Sequence, residues 1–195
     1  MRVCIIGAGP SGMSAMCAFQ ELTNKGLECP DWVCFEKQTE IGGLWNYNWR
    51  TGMDNDGTPV HNGMYRHLWS NGPKEALEFP DYPFEQHYGE VTGSYPPRLA
   101  LRDYLMGWVH KKHKVDMTKV RCGTVVKNVV WKDDVKKFEV YVKNAQTQYM
   151  ELFDHVIVCS GHFSIPRMPD FPDLNKFAGT IIHSHDFRNA EAYKG

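Results

Sequence analysis

The glycine-rich segment at residues 7–12 is the part of the chain whose residue types point most directly to chemistry. It reads Gly7-Ala8-Gly9-Pro10-Ser11-Gly12 and follows a short β-prone run. A helical pattern comes next, and in that context G-x-G-x-x-G predicts a dinucleotide site. Gly7 would allow a tight turn, Gly9 a close approach to a pyrophosphate, and Gly12 close packing of helix and strand. Ser11 adds a hydroxyl donor beside the free N–H groups of the helix start. The alternative is a glycine turn that binds no ligand.

A carboxylate stands where such a site needs an acceptor. Glu36 ends the second β-prone run, residues 32–36. A carboxylate there can accept hydrogen bonds from ribose hydroxyls and would repel a 2′-phosphate. The sequence therefore favours FAD or NAD over NADP at this site.

A second cluster near residue 185 could be a metal site. His183, His185 and Asp186 fall within four residues. Ligands this close on one extended segment give poor tetrahedral geometry, and no fourth ligand is near in sequence. The alternative is structural: His183 hydrogen-bonds the backbone within a crossover that links two strands. We expect no metal here.

The elements around these residues predict an α/β fold. Residues 2–6, 14–22 and 32–36 read as strand, helix and strand, a βαβ unit with parallel pairing. Residues 37–98 are rich in Gly, Pro, Asn and aromatics, which indicates an ordered excursion that covers other parts of the fold. A helix is predicted at 99–113. A β-meander follows, with runs at 120–131, 138–142 and 149–153, and residues 155–159 resemble a buried parallel strand.

Composition bounds the classes of function. The 195 residues are 42% apolar, and 22 basic side chains face 23 acidic ones. This balance gives no indication of a nucleic-acid surface. No apolar run approaches the ~20 residues of a membrane helix, and the N-terminal run lacks the pattern of a signal peptide. We expect a cytoplasmic protein without nucleic-acid or membrane partners.

Four stretches carry a family resemblance. Lys37-Gln38-Thr39-Glu40-Ile41-Gly42-Gly43-Leu44-Trp45 places paired glycines behind an acidic strand end. The others are residues 65–74 (YRHLWSNGPK), 158–162 (VCSGH) and 177–187 (FAGTIIHSHDF). Together they resemble the flavin-containing monooxygenases, whose fingerprint F-x-G-x-x-x-H-x-x-x-[F/Y] fits residues 177–187. Related ketone oxygenases end theirs in Trp, so Phe187 implies heteroatom oxygenation. Residues 36–52 and 64–74 are most similar to bacterial members that oxidise trimethylamine.

The resemblance implies FAD and NADPH as cofactors and assigns residues to them. The implied FAD contacts are Gly7, Gly9, Ser11, Gly12, Glu36, Gln38, Gly43, Leu44, Trp45, His61 and, through its backbone to adenine, Val126. Tyr65 and Trp69 are implied contacts of the nicotinamide nucleotide; taken alone, they are ordinary core aromatics. Asn71 is implied to be catalytic, lying beside flavin and NADP⁺. Taken alone, it is a turn residue before Gly72-Pro73.

The implied activity follows. The resemblance indicates the N-terminal FAD-binding portion of a monooxygenase that uses NADPH and O₂. Small tertiary amines, trimethylamine first, would become N-oxides through a flavin C4a-hydroperoxide. Two alternatives stay open: a flavin- or nucleotide-binding module without activity of its own, and a sulfide or ketone oxygenase of the same fold. The complete enzyme is expected to be a homodimer.

The expected architecture is a Rossmann-like FAD domain of the type with two dinucleotide-binding domains, here without its NADPH domain. Residues 1–165 would form the FAD-binding part. Residues 166–195 would be a crossover linker that carries the fingerprint. No second G-x-G-x-x-[G/A/S] pattern occurs. We therefore expect an apolar sheet edge or face to be left uncovered.

Overall fold

The computed structural model describes residues 1–54 and 57–193; the last two residues of the predicted linker, 194–195, lie outside it. The main elements in the described part are β1 (Arg2–Ile6), α1 (Pro10–Asn24), β2 (Asp31–Phe35), α2 (Lys74–Leu77), α3 (Phe84–Tyr88), α4 (Arg98–Gly107), β3 (Val120–Arg121), β4 (Val125–Lys132), β5 (Lys137–Lys143), β6 (Gln148–Phe153) and β7 (His155–Val158).

The βαβ unit is confirmed. A parallel sheet has the order β3-β2-β1-β7, and β1 runs parallel to both β2 and β7. Helix α1 begins at Pro10 rather than at residue 14, because proline is favoured in the first turn, where its missing N–H costs nothing. Strand β2 ends at Phe35, so Glu36 is the first residue beyond it.

The prediction of a single strand at residues 120–131 is wrong. Residues 120–121 form β3 and pair with β2, whereas β4 belongs to a separate antiparallel sheet with the order β4-β5-β6. Gly123 turns the chain between them with φ +65°. The apolar run hides this turn, because both halves are β-prone and only one glycine separates them.

Helix α4 and the excursion at residues 37–98 build the core on one face of the parallel sheet. Tyr82 and Phe84 of the excursion are buried in the same cluster as Ile5 and Tyr104. The helix predicted at 99–113 is α4 followed by a π-helical stretch, Trp108–His113. The excursion therefore covers the sheet, as its aromatic content predicts.

The run at 155–159 forms a parallel strand but is not buried. Strand β7 lies at the sheet edge, and the Val158 side chain is 70% exposed. Exposed apolar side chains also follow it, among them Phe163, Ile165, Met168, Phe171, Phe177, Ile181 and Ile182. The expected uncovered apolar edge is thus present. None of the helices in the described ranges has the length and apolarity to cross a membrane.

Candidate functional site

Three turns converge at the carboxyl ends of β1, β2 and β7. The Gly7 N–H donates to the Phe35 carbonyl at 2.8 Å, and the Cys159 N–H donates to the Ile6 carbonyl at 2.8 Å. The glycine loop, the residue after β2 and the turn after β7 therefore meet at one edge. Open α/β sheets bind their ligands at the carboxyl ends of the strands.

The three glycines of the loop differ in what requires them. Gly7 has φ +96°, and a Cβ there would lie 2.5 Å from the Cys159 carbonyl oxygen. A Cβ on Gly12 would lie 1.9 Å from the Gly7 carbonyl oxygen, so helix α1 could not approach its strand. These two reasons agree with the predicted roles of both residues.

Gly9 is required by neither conformation nor protein packing. Its φ is −74°, and a Cβ there would meet only the Gly43 Cα, at 3.6 Å, an ordinary contact. It precedes α1, which no side chain caps. The first N–H groups of a helix lack intrahelical partners, and among them is that of the exposed Ser11. The open space at Gly9 therefore adjoins unpaired donors, which fits a pyrophosphate.

Glu36 fixes the glycine loop by hydrogen bonds and also lies at the candidate site. The buried carboxylate accepts hydrogen bonds from the Ala8 N–H at 2.6 Å and the Gln38 N–H at 2.7 Å. Burial raises the pKa of Glu36, and these backbone bonds oppose the rise. Each oxygen keeps acceptor capacity for a further donor such as a ribose hydroxyl.

The Gly42-Gly43 turn packs directly on the glycine loop. The Gly42 N–H donates to the Ala8 carbonyl at 2.9 Å, and Gly43 has φ +55°. A Cβ on Gly43 would lie 2.8 Å from the Gly9 Cα. The Gln38 side chain donates to the Gly43 carbonyl at 3.1 Å. The close approach of Gly43 to Gly9 therefore explains why glycine is needed at Gly43.

The remaining predicted FAD residues lie in different environments. Leu44 is 41% exposed, whereas Trp45 is half-buried and packs against the main core. His61 lies beside the turn after β7, where a Cβ on Gly161 would be 3.2 Å from its Nε2. Burial lowers the pKa of His61, helped by nearby positive groups. Val126 pairs with Val142 next to an irregularity in β4.

Tyr65, Trp69 and Asn71 are exposed side chains of the excursion rather than core residues. Tyr65 is 36% and Trp69 65% exposed, so the interpretation of both as core aromatics is wrong. Asn71 is exposed at the tip of a turn in which the Ser70 hydroxyl donates to the Gly72 carbonyl at 2.8 Å. Its side chain has no hydrogen-bond partner within the described ranges.

The fingerprint segment folds back onto the excursion. His183 Nδ1 accepts from the His185 N–H at 3.1 Å, so the structural interpretation of His183 holds, although it starts a 3₁₀ turn rather than joining strands. Phe187 packs edge-on against Tyr65, with ring centroids 5.4 Å apart. No three metal-binding side chains cluster suitably among residues 1–54 and 57–193.

Sequence reasoning missed the arginine next to the fingerprint. Arg188 is 6% exposed and donates to the Arg50 carbonyl at 2.8 and 3.0 Å and to the His185 carbonyl at 2.6 Å. An arginine that binds only carbonyls in this way has no recognisable sequence spacing, because its acceptors belong to the backbone.

The fold and the site define a dinucleotide-binding α/β protein, and comparison with known proteins identifies the family. The family model described as flavin-binding monooxygenase-like matches residues 1–195, so the chain belongs to that family. It is 53% identical to a trimethylamine monooxygenase of Methylocella silvestris over its whole length. It spans only 43% of that relative.

Solved structures agree. The crystal structure of Tmm from a Pelagibacter species matches all of the chain with a TM-score of 0.91 and 49% identity, and the match covers 44% of that protein. S-allyl-L-cysteine S-oxygenase from Allium sativum matches 98% of the chain at 31% identity, with a TM-score of 0.79 and 43% of that protein covered. The chain is therefore similar to less than half of each of these enzymes.

Proposed function

We propose that this chain is the N-terminal, FAD-binding part of an NADPH- and O₂-dependent monooxygenase of small tertiary amines. Its product from trimethylamine would be the N-oxide. The similarity to trimethylamine monooxygenases supports the substrate class. The proposal includes a FAD-binding part at residues 1–165, a linker from residue 166, a cytoplasmic location and a homodimer of the complete enzyme.

The observation that carries the cofactor assignment is the open position at Gly9. Glycine is costly for folding unless a conformation or a close neighbour demands it. Here the neighbour is not protein, since the nearest protein atom is at ordinary contact distance. A bound pyrophosphate supplies the missing reason, and the residues present therefore fit FAD.

The bound FAD would supply the redox chemistry with NADPH and O₂. The chain's own residues would bind and orient it. The first N–H groups of α1 and the Ser11 hydroxyl would hold the pyrophosphate, and Glu36 would accept from the ribose. The exposed side chains of Tyr65 and Trp69 would contact the nicotinamide nucleotide, and the Asn71 amide would donate hydrogen bonds beside the flavin.

Gly9→Ala in the complete enzyme tests the cofactor assignment. We expect the free energy of unfolding of the apoprotein to change by no more than about 1 kcal/mol, the cost of an alanine cap. FAD affinity should fall by about tenfold or more, equivalent to about 1.4 kcal/mol. Ser14→Ala, an exposed change in the same helix, is the matched control and should leave both quantities unchanged. FAD affinity equal to wild type in Gly9→Ala contradicts the assignment.

A sulfur substrate is the second candidate. The similarity to S-allyl-L-cysteine S-oxygenase at 31% identity supports it, and Phe187 in the fingerprint is compatible with oxygenation of either nitrogen or sulfur. The two candidates use the same cofactor-binding residues and differ only in the substrate, so direct competition between substrates separates them.

A further inference from the structure

Arg188 joins two segments that are far apart in sequence. Its guanidinium donates to the Arg50 carbonyl through both Nε and Nη2, and its Nη1 donates to the carbonyls of His185 and Phe187. The same residue's carbonyl accepts from the Arg66 N–H at 2.7 Å. Arg188 therefore ties the fingerprint turn to both sides of the excursion loop that carries Tyr65.

The chemistry of this contact is specific to arginine. In the described part of the chain the buried guanidinium donates its hydrogen bonds to carbonyls and to no carboxylate. Burial lowers the pKa of Arg188, with a nearby Asp186 acting against that effect. A planar fork with five fixed donors can serve several carbonyls at once, which a lysine ammonium cannot do with the same geometry.

The residue before Arg188 contacts Tyr65. Phe187 immediately precedes Arg188 and packs edge-on against the Tyr65 ring. A Cβ on Gly63 would lie 3.5 Å from the His185 ring, so the two segments lie in close contact there as well. By contrast, Gly9 and Glu36, the residues assigned to FAD at the carboxyl end of the sheet, make no hydrogen bond with Arg188.

We propose that Arg188 is a positioning residue for the nicotinamide nucleotide: it fixes the Tyr65 loop against the fingerprint turn and thereby sets nucleotide affinity without contacting FAD. This inference rests on the proposed function, which assigns Tyr65 to the nucleotide. It predicts a loss that is confined to nucleotide binding.

The test compares Arg188→Ala and Arg188→Lys with wild type in the complete enzyme. We expect Arg188→Ala to keep its FAD content but to raise the Kd for NADP⁺ and the KM for NADPH about tenfold, since small misplacements of binding groups cost one to two orders of magnitude. Hydrogen exchange at the Arg66 amide should accelerate, because its acceptor is the main-chain carbonyl of residue 188, which the side chain no longer holds against the excursion. Added guanidinium at millimolar concentration should restore NADP⁺ binding to Arg188→Ala, and Arg188→Lys should be intermediate.

Arg167→Ala is the control, because Arg167 is an exposed arginine in the same segment, and it should match wild type. An unchanged Kd for NADP⁺ in Arg188→Ala overturns the inference, as does a loss of FAD equal to the loss of nucleotide. If Arg188→Ala does not fold, the Kd and Arg66 exchange of Arg188→Lys decide by the same criteria. A wild-type enzyme that binds FAD but no NADP⁺ refutes the proposed function instead, and Arg66 exchange still reports on the contact.

Discussion

At the scale of single residues, Glu36 holds the glycine loop through hydrogen bonds and is the proposed acceptor for the cofactor ribose. Glu36→Ala leaves the buried N–H of Ala8 without its acceptor, at a cost of about 1–3 kcal/mol, and also removes the acceptor of the half-buried Gln38 N–H. We expect a lower flavin-to-protein ratio and a lower midpoint of urea unfolding. Glu36→Gln retains one acceptor oxygen, so its flavin content and unfolding midpoint should lie between those of wild type and Glu36→Ala. A Glu36→Ala enzyme with full flavin content would contradict the assignment.

Asn71 gives a second prediction at this scale, because it should affect oxygenation without affecting FAD binding. Its exposed side chain stands at the turn tip, away from the glycine loop's hydrogen bonds. Asn71→Ala removes the amide that would donate hydrogen bonds beside the flavin while negative charge develops during oxygen transfer. The product formed per NADPH consumed should therefore fall by about tenfold or more at unchanged FAD content. Asn175→Ala, an exposed asparagine elsewhere, serves as control. Fully coupled turnover by Asn71→Ala would refute this role.

At the scale of elements, Glu151 joins the two sheets. On β6 it pairs with Arg2 of β1 at 2.5 Å and with Arg121 of β3. Burial alone would raise the pKa of Glu151, but the hydrogen bonds and charges of both arginines hold it below its ordinary value. A lowered folded-state pKa stabilises the fold above the unfolded value of about 4.3, and this contribution is lost as pH falls through the lowered pKa.

Glu151→Gln should therefore destabilise the protein at pH 7 and matter less in acid. The arginines are about one-third exposed, so solvent screening keeps the expected loss near 1 kcal/mol. Urea unfolding of wild type and Glu151→Gln from pH 7 to pH 3 measures it, and the difference should shrink below pH 4.3. Glu90→Gln, an exposed change, should show no such pH dependence. A difference that stays constant with pH would exclude the ion pair as its cause.

At the scale of the whole molecule, the prediction concerns the substrate of the complete enzyme. Turnover of trimethylamine, dimethyl sulfide and a cyclic ketone should rank in that order. Oxygen transfer to nitrogen requires a lone pair, so trimethylamine turnover should increase as pH rises toward the pKa of the amine. Preference for the sulfide would favour the sulfur candidate, and preference for the ketone would contradict the interpretation of Phe187.

The glycine loop itself was predictable because its turn and its packing against the helix are local constraints. Gly7 and Gly12 are needed for a turn and for helix–strand contact within six residues of chain, and glycine is the residue type that meets such constraints. The alternation of Phe138, Val140 and Val142 likewise predicted β5 of the meander. The position of strand β7 was predicted correctly but its exposure was not, since an apolar run does not show whether another element covers it.

The sequence by itself determined the βαβ unit, the glycine loop and the family, because each is carried by short stretches of consecutive residues. Only the tertiary structure decided that residues 120–121 and 125–132 join different sheets, since pairing depends on distant strands. It also decided that the Glu36 carboxylate accepts from the Ala8 N–H and that Arg188 donates to the Arg50 carbonyl. Backbone acceptors are the same in every residue, so no spacing of residue types could reveal which carbonyl, 138 positions away, the arginine would reach.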